Sequence, residues 1–158
     1  PPTTIKEMNP DHRLEIMHTL EIPASAIVNT AELCNGPTWQ FFELKSATDV
    51  LAADSAKVRW PTFKAIGLFA PHTAGNECDY EVRMLAPSSG MSEDPITGSL
   101  NAAIAKWMQS QGRLKKPYLV AQGTSIRRLG RVAVKASGDG VAWIGGQVHI
   151  LIEGYVNI

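Results

Sequence analysis

Glu93, Asp94, Pro95, Thr97, Gly98 and Ser99 fall in one seven-residue stretch, EDPITGS, set directly before the apolar run LNAAIAKWM. A helix starting there leaves backbone N–H groups unpaired and carries about half a positive elementary charge at its end, which suits an anion. Gly98 has no side chain to hold a ligand away from that backbone. Thr97 and Ser99 add hydroxyls beside the same N–H groups. Such a cradle fits a substrate carboxylate. Asp94, biased toward an extended conformation by Pro95, would stand at its mouth. There it could hydrogen-bond a substrate amine or hydroxyl, or help position a proton in transit. The same residues also suit a plain helix start, with Thr97 or Ser99 as cap, Asp94 facing the helix dipole and Gly98 serving packing. Spacing alone leaves both readings open.

The element behind the turn is a predicted helix over 99–111. Leu100, Ala103, Ile104, Trp107 and Met108 recur at i, i+3, i+4, i+7 and i+8, and Ala102 and Ala105 extend the apolar surface. A helix so apolar around most of its circumference needs burial on several sides. Gly112 stands where a left-handed residue would stop it. Strands wrapped around a central helix would meet that demand.

Strand signals fill much of the remaining sequence. SAIVN and TWQFFELKS flank the turn CNGP, FKAIGLFA and DYEVRMLA precede the signature turn, and PYLVAQG, GRVAVKAS, VAWIGG and QVHILIEGYVNI follow the helix. Asp11 is placed to cap a short helix with Leu14, Met17 and His18 inward, and Pro23 closes that element. Ser46 and Asp49 have the spacing of a capping box before a surface helix, DVLAADSAKV. The expected class is α+β: a mostly antiparallel, barrel-like sheet around one apolar helix, with residues 1–158 as a single domain.

Composition narrows the function. Of 158 residues, 44% are hydrophobic and 19% charged, as expected of a globular chain. Fifteen basic residues balance fifteen acidic ones, so nothing favours nucleic acid or an anionic membrane as partner. Apolar stretches fall short of the roughly 20 residues of a membrane helix. The opening PPTTIKEMNP lacks the basic and apolar regions of a signal peptide. Cys34 and Cys78 are far apart and outside any C-x-x-C pattern, which reads as reduced thiols in a cytoplasmic protein. The four histidines form no metal-binding spacing, so no metal is expected.

With these residues in view, the sequence resembles the phenazine-biosynthesis (PhzF-like) isomerase family, relatives of diaminopimelate epimerase. The matching segments are VRMLAP (82–87), Gly90, EDPITGS (93–99), NGPTW (35–39) with FEL beyond it, Gln122-Gly123, and Gly145-Gly146 before VHILIEGYV. The match corresponds to the C-terminal half of a family member. The resemblance implies two similar lobes, each a β-barrel-like sheet around a helix, with the active site in the cleft between them. It implies proton transfer on a small carboxylated metabolite without metal or organic cofactor. A glutamate of the N-terminal lobe would be the general acid/base, and Asp94, Gly98 and Ser99 would be the contribution of this lobe.

Two departures follow. Nothing before residue 35 resembles an N-terminal lobe, and Glu7, Glu15 and Glu21 stand in the wrong context to supply its glutamate. The family's Gly-Arg-Pro after Gln-Gly reads IRRLGR here, so Arg128 aligns while its neighbours differ. The cysteine pair of diaminopimelate epimerase is absent, which argues against two-thiol racemisation. The expected function is therefore the substrate-holding lobe of a cofactor-independent isomerase or epimerase, inactive or weak as an isolated chain. Its expected partners are a small carboxylated metabolite and an N-terminal lobe or a second copy of itself. The alternative is a truncated, non-catalytic module that binds a small carboxylate or a partner lobe.

Among other candidates, His72 in APHTAG could approach the cleft, although such a histidine is more often a surface or turn residue. Arg83 alternates with Val82 and Met84 and is expected to face away from the helix, solvated or ion-paired. Arg127, Arg128 and Arg131 could hold a carboxylate or form a solvated basic edge. Trp39, Trp107 and His149 are expected to pack.

Overall fold

Alternation along one strand separates the two sides of the sheet. In Thr38–Leu44, Trp39 and Phe41 belong to one buried cluster, while Phe42 and Leu44 belong to another. The first cluster surrounds the long helix, and the second lies on the opposite face. The computed structural model describes residues 2–59, 65–86 and 92–156. Along it run β1 (Thr4–Lys6), α1 (Pro10–Thr19), β2 (Ile27–Cys34), β3 (Thr38–Leu44) and α2 (Ala47–Ala52). Then come β4 (Ile66–Pro71), β5 (Tyr80–Leu85), α3 (Gly98–Ser110), β6 (Tyr118–Gln122), β7 (Gly130–Ala136) and β8 (Ala142–Gly145).

The strands pair in chain order, β1 to β8, as one sheet. Pairing is antiparallel except for β3–β4 and β5–β6, which are parallel. The α+β class and the mostly antiparallel wrap around a helix are as expected. Buried side chains from β2 through β7 (Leu33, Phe41, Phe69, Val82, Val120, Val134) close on Leu100, Ala103, Ile104, Trp107 and Met108 of α3. Gly67 of β4 admits the closest approach: a Cβ there would lie 2.7 Å from a Leu100 methyl. On the other face α1 and α2 cover β3–β5 through Ile16, Leu20 and Val50. Two-sided burial explains why β3 and β4 read as nearly continuous apolar runs. Outside β6–β8 the face is open, and Leu119, Ala133, Lys135 and Trp143 line a groove of about 590 Å³ there.

Several expectations change. Asn9, not Asp11, caps α1: its side chain accepts from the Asp11 and His12 N–H groups, with Pro10 as first helical residue. Ile16 is the buried residue of α1, whereas Leu14 is 56% exposed. The Ser46–Asp49 cap forms, but α2 stops at Ala52 and a 3₁₀ turn follows. Helix α3 begins at Gly98 and Gly112 adopts φ +65°, as its place after the helix demands. Trp39 and Trp107 are buried; His149 is exposed rather than packed. Both cysteines are free thiols. The predicted final strand, QVHILIEGYV, carries no secondary structure through Val156. Phe63 and Lys64 of the predicted strand FKAIGLFA, and Pro87 and Gly90 of the resemblance, lie outside the described residues.

Candidate functional site: the turn before α3

Residues 93–97 are anchored to β5 by two consecutive contacts. The Asp94 N–H donates to the Met84 carbonyl at 3.0 Å. Beside it, the Arg83 guanidinium donates through Nε and Nη2 to Glu93 Oε2 at 3.1 and 2.6 Å, with both side chains buried. Arg83 Nη1 donates to the carbonyls of Val50 and Ala53 at the end of α2. Arg83 does face away from α3, as alternation predicted, and it is ion-paired, but it is not solvated. It spends its donors tying the turn to the sheet's outer layer.

Glycines seat the turn from the other side. A Cβ at Gly130 would lie 2.4 Å from the Gln122 carbonyl and 2.7 Å from the Pro95 carbonyl. At Gly123, whose φ of +84° already favours glycine, it would lie 3.0 Å from the Pro95 oxygen. The Gly123 seat is the physical content of the Gln122-Gly123 pair in the sequence.

Inside the turn a directional network fixes Asp94. Gln122 is fully buried, and its Nε2 donates to the Asp94 carbonyl at 3.1 Å and to Thr97 Oγ1 at 3.0 Å. With that hydroxyl already accepting, its own hydrogen goes to Asp94 Oδ2 at 2.6 Å. Gln122 Oε1 in turn accepts from the Thr97 N–H at 3.2 Å and from Asn101 Nδ2 at 2.9 Å. Asn101 Nδ2 also reaches the Thr97 carbonyl at 3.0 Å. Thr97 is therefore buried with both of its donors spent within the protein. It orients Asp94 and offers no hydroxyl to solvent.

Gly98 and Ser99 face outward. Both are exposed, and no acceptor among the described residues takes their N–H groups. A Cβ on Gly98 would meet nothing within 4 Å and its φ is ordinary, so the protein's own packing does not require glycine there. Asn35 secures the same helix end: its Nδ2 donates to the Ser99 carbonyl at 2.7 Å while its Oδ1 accepts from Trp39 Nε1 at 3.1 Å. Asn35, Asn101 and Gln122 were not predicted as site residues. Asn35 and Gln122 had a signal, since both sit in segments that carry the resemblance; Asn101 was legible only as a polar residue on an apolar helix.

Asp94, Thr97, Gly98 and Ser99 are thus brought together. Arg128 borders the group: its N–H donates to the Gly123 carbonyl at 2.9 Å, and its Cβ would be 2.9 Å from a Cβ on Gly123, on the side that faces Pro95. Its side chain is exposed, as is that of Arg127, while Arg131 pairs with Glu77 at 3.2 Å. His72 is placed elsewhere. Its N–H donates to the carbonyl of Asp79, the residue before β5, whereas the turn pairs with Met84 near that strand's other end. There its Nε2 lies 3.0 Å from the buried Glu81 carboxylate. At the far end of α3, Arg113 forks onto the buried Glu43 and lies over the Trp107 ring at 5.1 Å. That hydrogen-bonded pairing raises the Arg113 pKa further. Among the described residues, no group of three or more His, Cys, Asp or Glu side chains is arranged to hold a metal. No helix there is long and apolar enough to cross a membrane.

Known proteins share this architecture. A phenazine biosynthesis protein of the PhzF family from Bacillus anthracis superposes with a TM-score of 0.67 at 15% identity, over 95% of this chain and 58% of that one. A structure described as a predicted epimerase, from Pseudomonas aeruginosa, gives 0.66 at 16% identity, over 96% and 56%. Among curated proteins, Antisense-enhancing sequence 1 of Schizosaccharomyces pombe is 26% identical over 159 residues, covering 89% of this chain. The chain spans about half the length of that relative, 51%. The family model described as phenazine biosynthesis-like protein (PhzC-PhzF) matches residues 1–154. With the fold agreeing on its side and the family model covering nearly every residue, the chain belongs to the phenazine biosynthesis-like (PhzC-PhzF) family.

Proposed function

We propose that this chain is the substrate-holding lobe of a cofactor-independent isomerase or epimerase that moves a proton on a small carboxylated metabolite. The observation that carries this reading is the pair of unpartnered N–H groups at Gly98 and Ser99, with open space beside Gly98 and Asp94 held next to them. A carboxylate would accept from those N–H groups and from the Ser99 hydroxyl, favoured by the positive end of a 13-residue helix. Asp94 would bind the substrate's amine or hydroxyl, or take part in the proton's path, with Thr97 and Gln122 fixing its orientation. Arg128 would border the entrance. The proton-transferring base would come from a partner lobe, because the adjacent carboxylate, Glu93, is buried and committed to Arg83.

The half-length match favours a second reading, a non-catalytic module that binds a small carboxylate. Titrating ¹⁵N-labelled protein with malonate tests what the two readings share. Saturable shifts are expected at the Gly98 and Ser99 amides, with chloride at equal ionic strength giving none; their absence refutes both. Solvent deuterium appearing in a carboxylated metabolite with the isolated chain would contradict the need for a partner base and eliminate the non-catalytic reading.

A further inference from the structure

At the end of α3 remote from the turn, several chain segments close on one small pocket. Gly112, at φ +65°, reverses the chain, and the Arg113 N–H returns to the Met108 carbonyl at 2.8 Å. Lys116, biased toward an extended conformation by Pro117, leads into β6. Asp79, just before β5, is pinned beside β6: its N–H donates to the Leu119 carbonyl and its Oδ2 accepts from the Leu119 N–H, both at 2.8 Å. The pocket between them measures about 160 Å³, and its lining includes Asp79, Tyr80, Met108, Arg113, Lys116 and Tyr118. That is room for about five waters at ~30 Å³ each, so a ligand there is small.

The polar groups of this lining are spent unevenly. Arg113 is committed, with Nη1 and Nη2 both donating to the buried Glu43 carboxylate, and that pair is neutral as a unit. Tyr118 is only 7% exposed, yet its hydroxyl has no hydrogen-bond partner among the described residues. A phenol buried to that degree ordinarily finds one. Burial raises its pKa, so it stays protonated and can donate. Lys116 and Asp79 bring opposite charges to the same lining, but neither forms an ion pair with the other or with another described residue. Leu119 occupies Oδ2 of Asp79 and leaves Oδ1 free. Two opposite charges that share a pocket without meeting are complementary to one ligand that carries both.

We infer that this pocket binds a small zwitterion, a free α-amino acid with a compact apolar side chain. Its carboxylate would accept from the Lys116 ammonium and the Tyr118 hydroxyl, and its ammonium would donate to Asp79 Oδ1. Met108 and the Tyr80 ring would cover the apolar side chain. A plain anion would leave Asp79 opposed to it, and a plain cation would leave Lys116 so. The pocket lies at the opposite end of α3 from Gly98 and does not depend on the proposed function.

Titrating the whole ¹⁵N-labelled chain with L-valine tests the inference, with isovalerate, which lacks the ammonium, and isobutylamine, which lacks the carboxylate, as controls. Valine should give saturable shifts at the Arg113 and Leu119 amides, with a Kd at least about 10-fold below that of either control, since each control forfeits a hydrogen-bonded charge. Asp79→Asn, which keeps an oxygen for the Leu119 N–H, should weaken valine about 10-fold, and so should Lys116→Met. Unchanged amide shifts along α3 show that both variants are folded. Isovalerate binding as tightly as valine would overturn the inference in favour of a plain anion pocket, and isobutylamine doing so would overturn it in favour of a plain cation pocket. No saturable shift with valine, or full affinity in either variant, would also overturn it. Malonate shifts at Gly98 and Ser99, read on the same samples, report the carboxylate site separately, so either idea can fail alone.

Discussion

Thr97 Oγ1 donates to Asp94 Oδ2 at 2.6 Å because Gln122 Nε2 already donates to that hydroxyl. The network has a direction, and it leaves Oδ1 as the oxygen of Asp94 turned to other uses. Thr97→Val removes the acceptor for Gln122 and the donor for Asp94 together. Leaving buried polar groups unpaired costs about 1–3 kcal/mol. Urea denaturation should show a loss in that range, and malonate affinity should fall. Thr97→Ser should restore most of both; if Val and Ser behave alike, the hydroxyl does not orient Asp94.

The two kinds of glycine around the turn separate binding from folding. Gly98→Ala adds a methyl to open space in the first turn of α3, so stability should change by no more than about 1 kcal/mol. Malonate shifts should weaken, since the methyl occupies the approach to the backbone. Gly130→Ala places its methyl 2.4 Å from a backbone carbonyl and should cost about 1–3 kcal/mol through forced backbone movement. Equal loss of stability in the two variants would contradict this assignment.

Arg83 and Glu93 are a buried pair, so the damage from removing one partner should exceed that from replacing both. Arg83→Met leaves the Glu93 carboxylate uncompensated in the interior, at a cost of about 3–5 kcal/mol. Arg83→Met combined with Glu93→Leu should recover a large part of it. A double-mutant cycle in urea reads the difference, and simple additivity would mean that the pair does not act as a unit.

Burial raises the pKa of Tyr118, and to a lesser degree that of Tyr80, whose rings meet edge to face at 5.0 Å. The folded state therefore prefers the neutral phenol. Its contribution is fully present below the unfolded value of 10.0 and is lost as pH rises toward the higher folded value. Denaturation midpoints should drop above about pH 10 in the wild type, and less steeply in Tyr118→Phe. Parallel curves would remove Tyr118 from the alkaline limb.

Local chemistry made much of this protein legible in its sequence. The period of Leu100, Ala103, Ile104, Trp107 and Met108 determined a buried helix, and that helix required strands on several sides. The turn residues ahead of it, with Gly98 at the helix start, marked the candidate site. Alternation also placed Arg83 on the far side from α3. These features depend on neighbours a few residues apart, which a sequence displays directly. Tertiary structure decided what depends on distant partners. Thr97 and Ser99 look alike as hydroxyls beside a helix start, yet Gln122, 25 residues further on, turns Thr97 inward and leaves Ser99 to solvent. His72 was a plausible neighbour of the site until strand pairing set it at the other end of β5, beside Glu81. The segment 147–156 has a strand's pattern without a strand's structure, because a pattern supplies side chains for one face while only a partner's backbone can complete the hydrogen bonds.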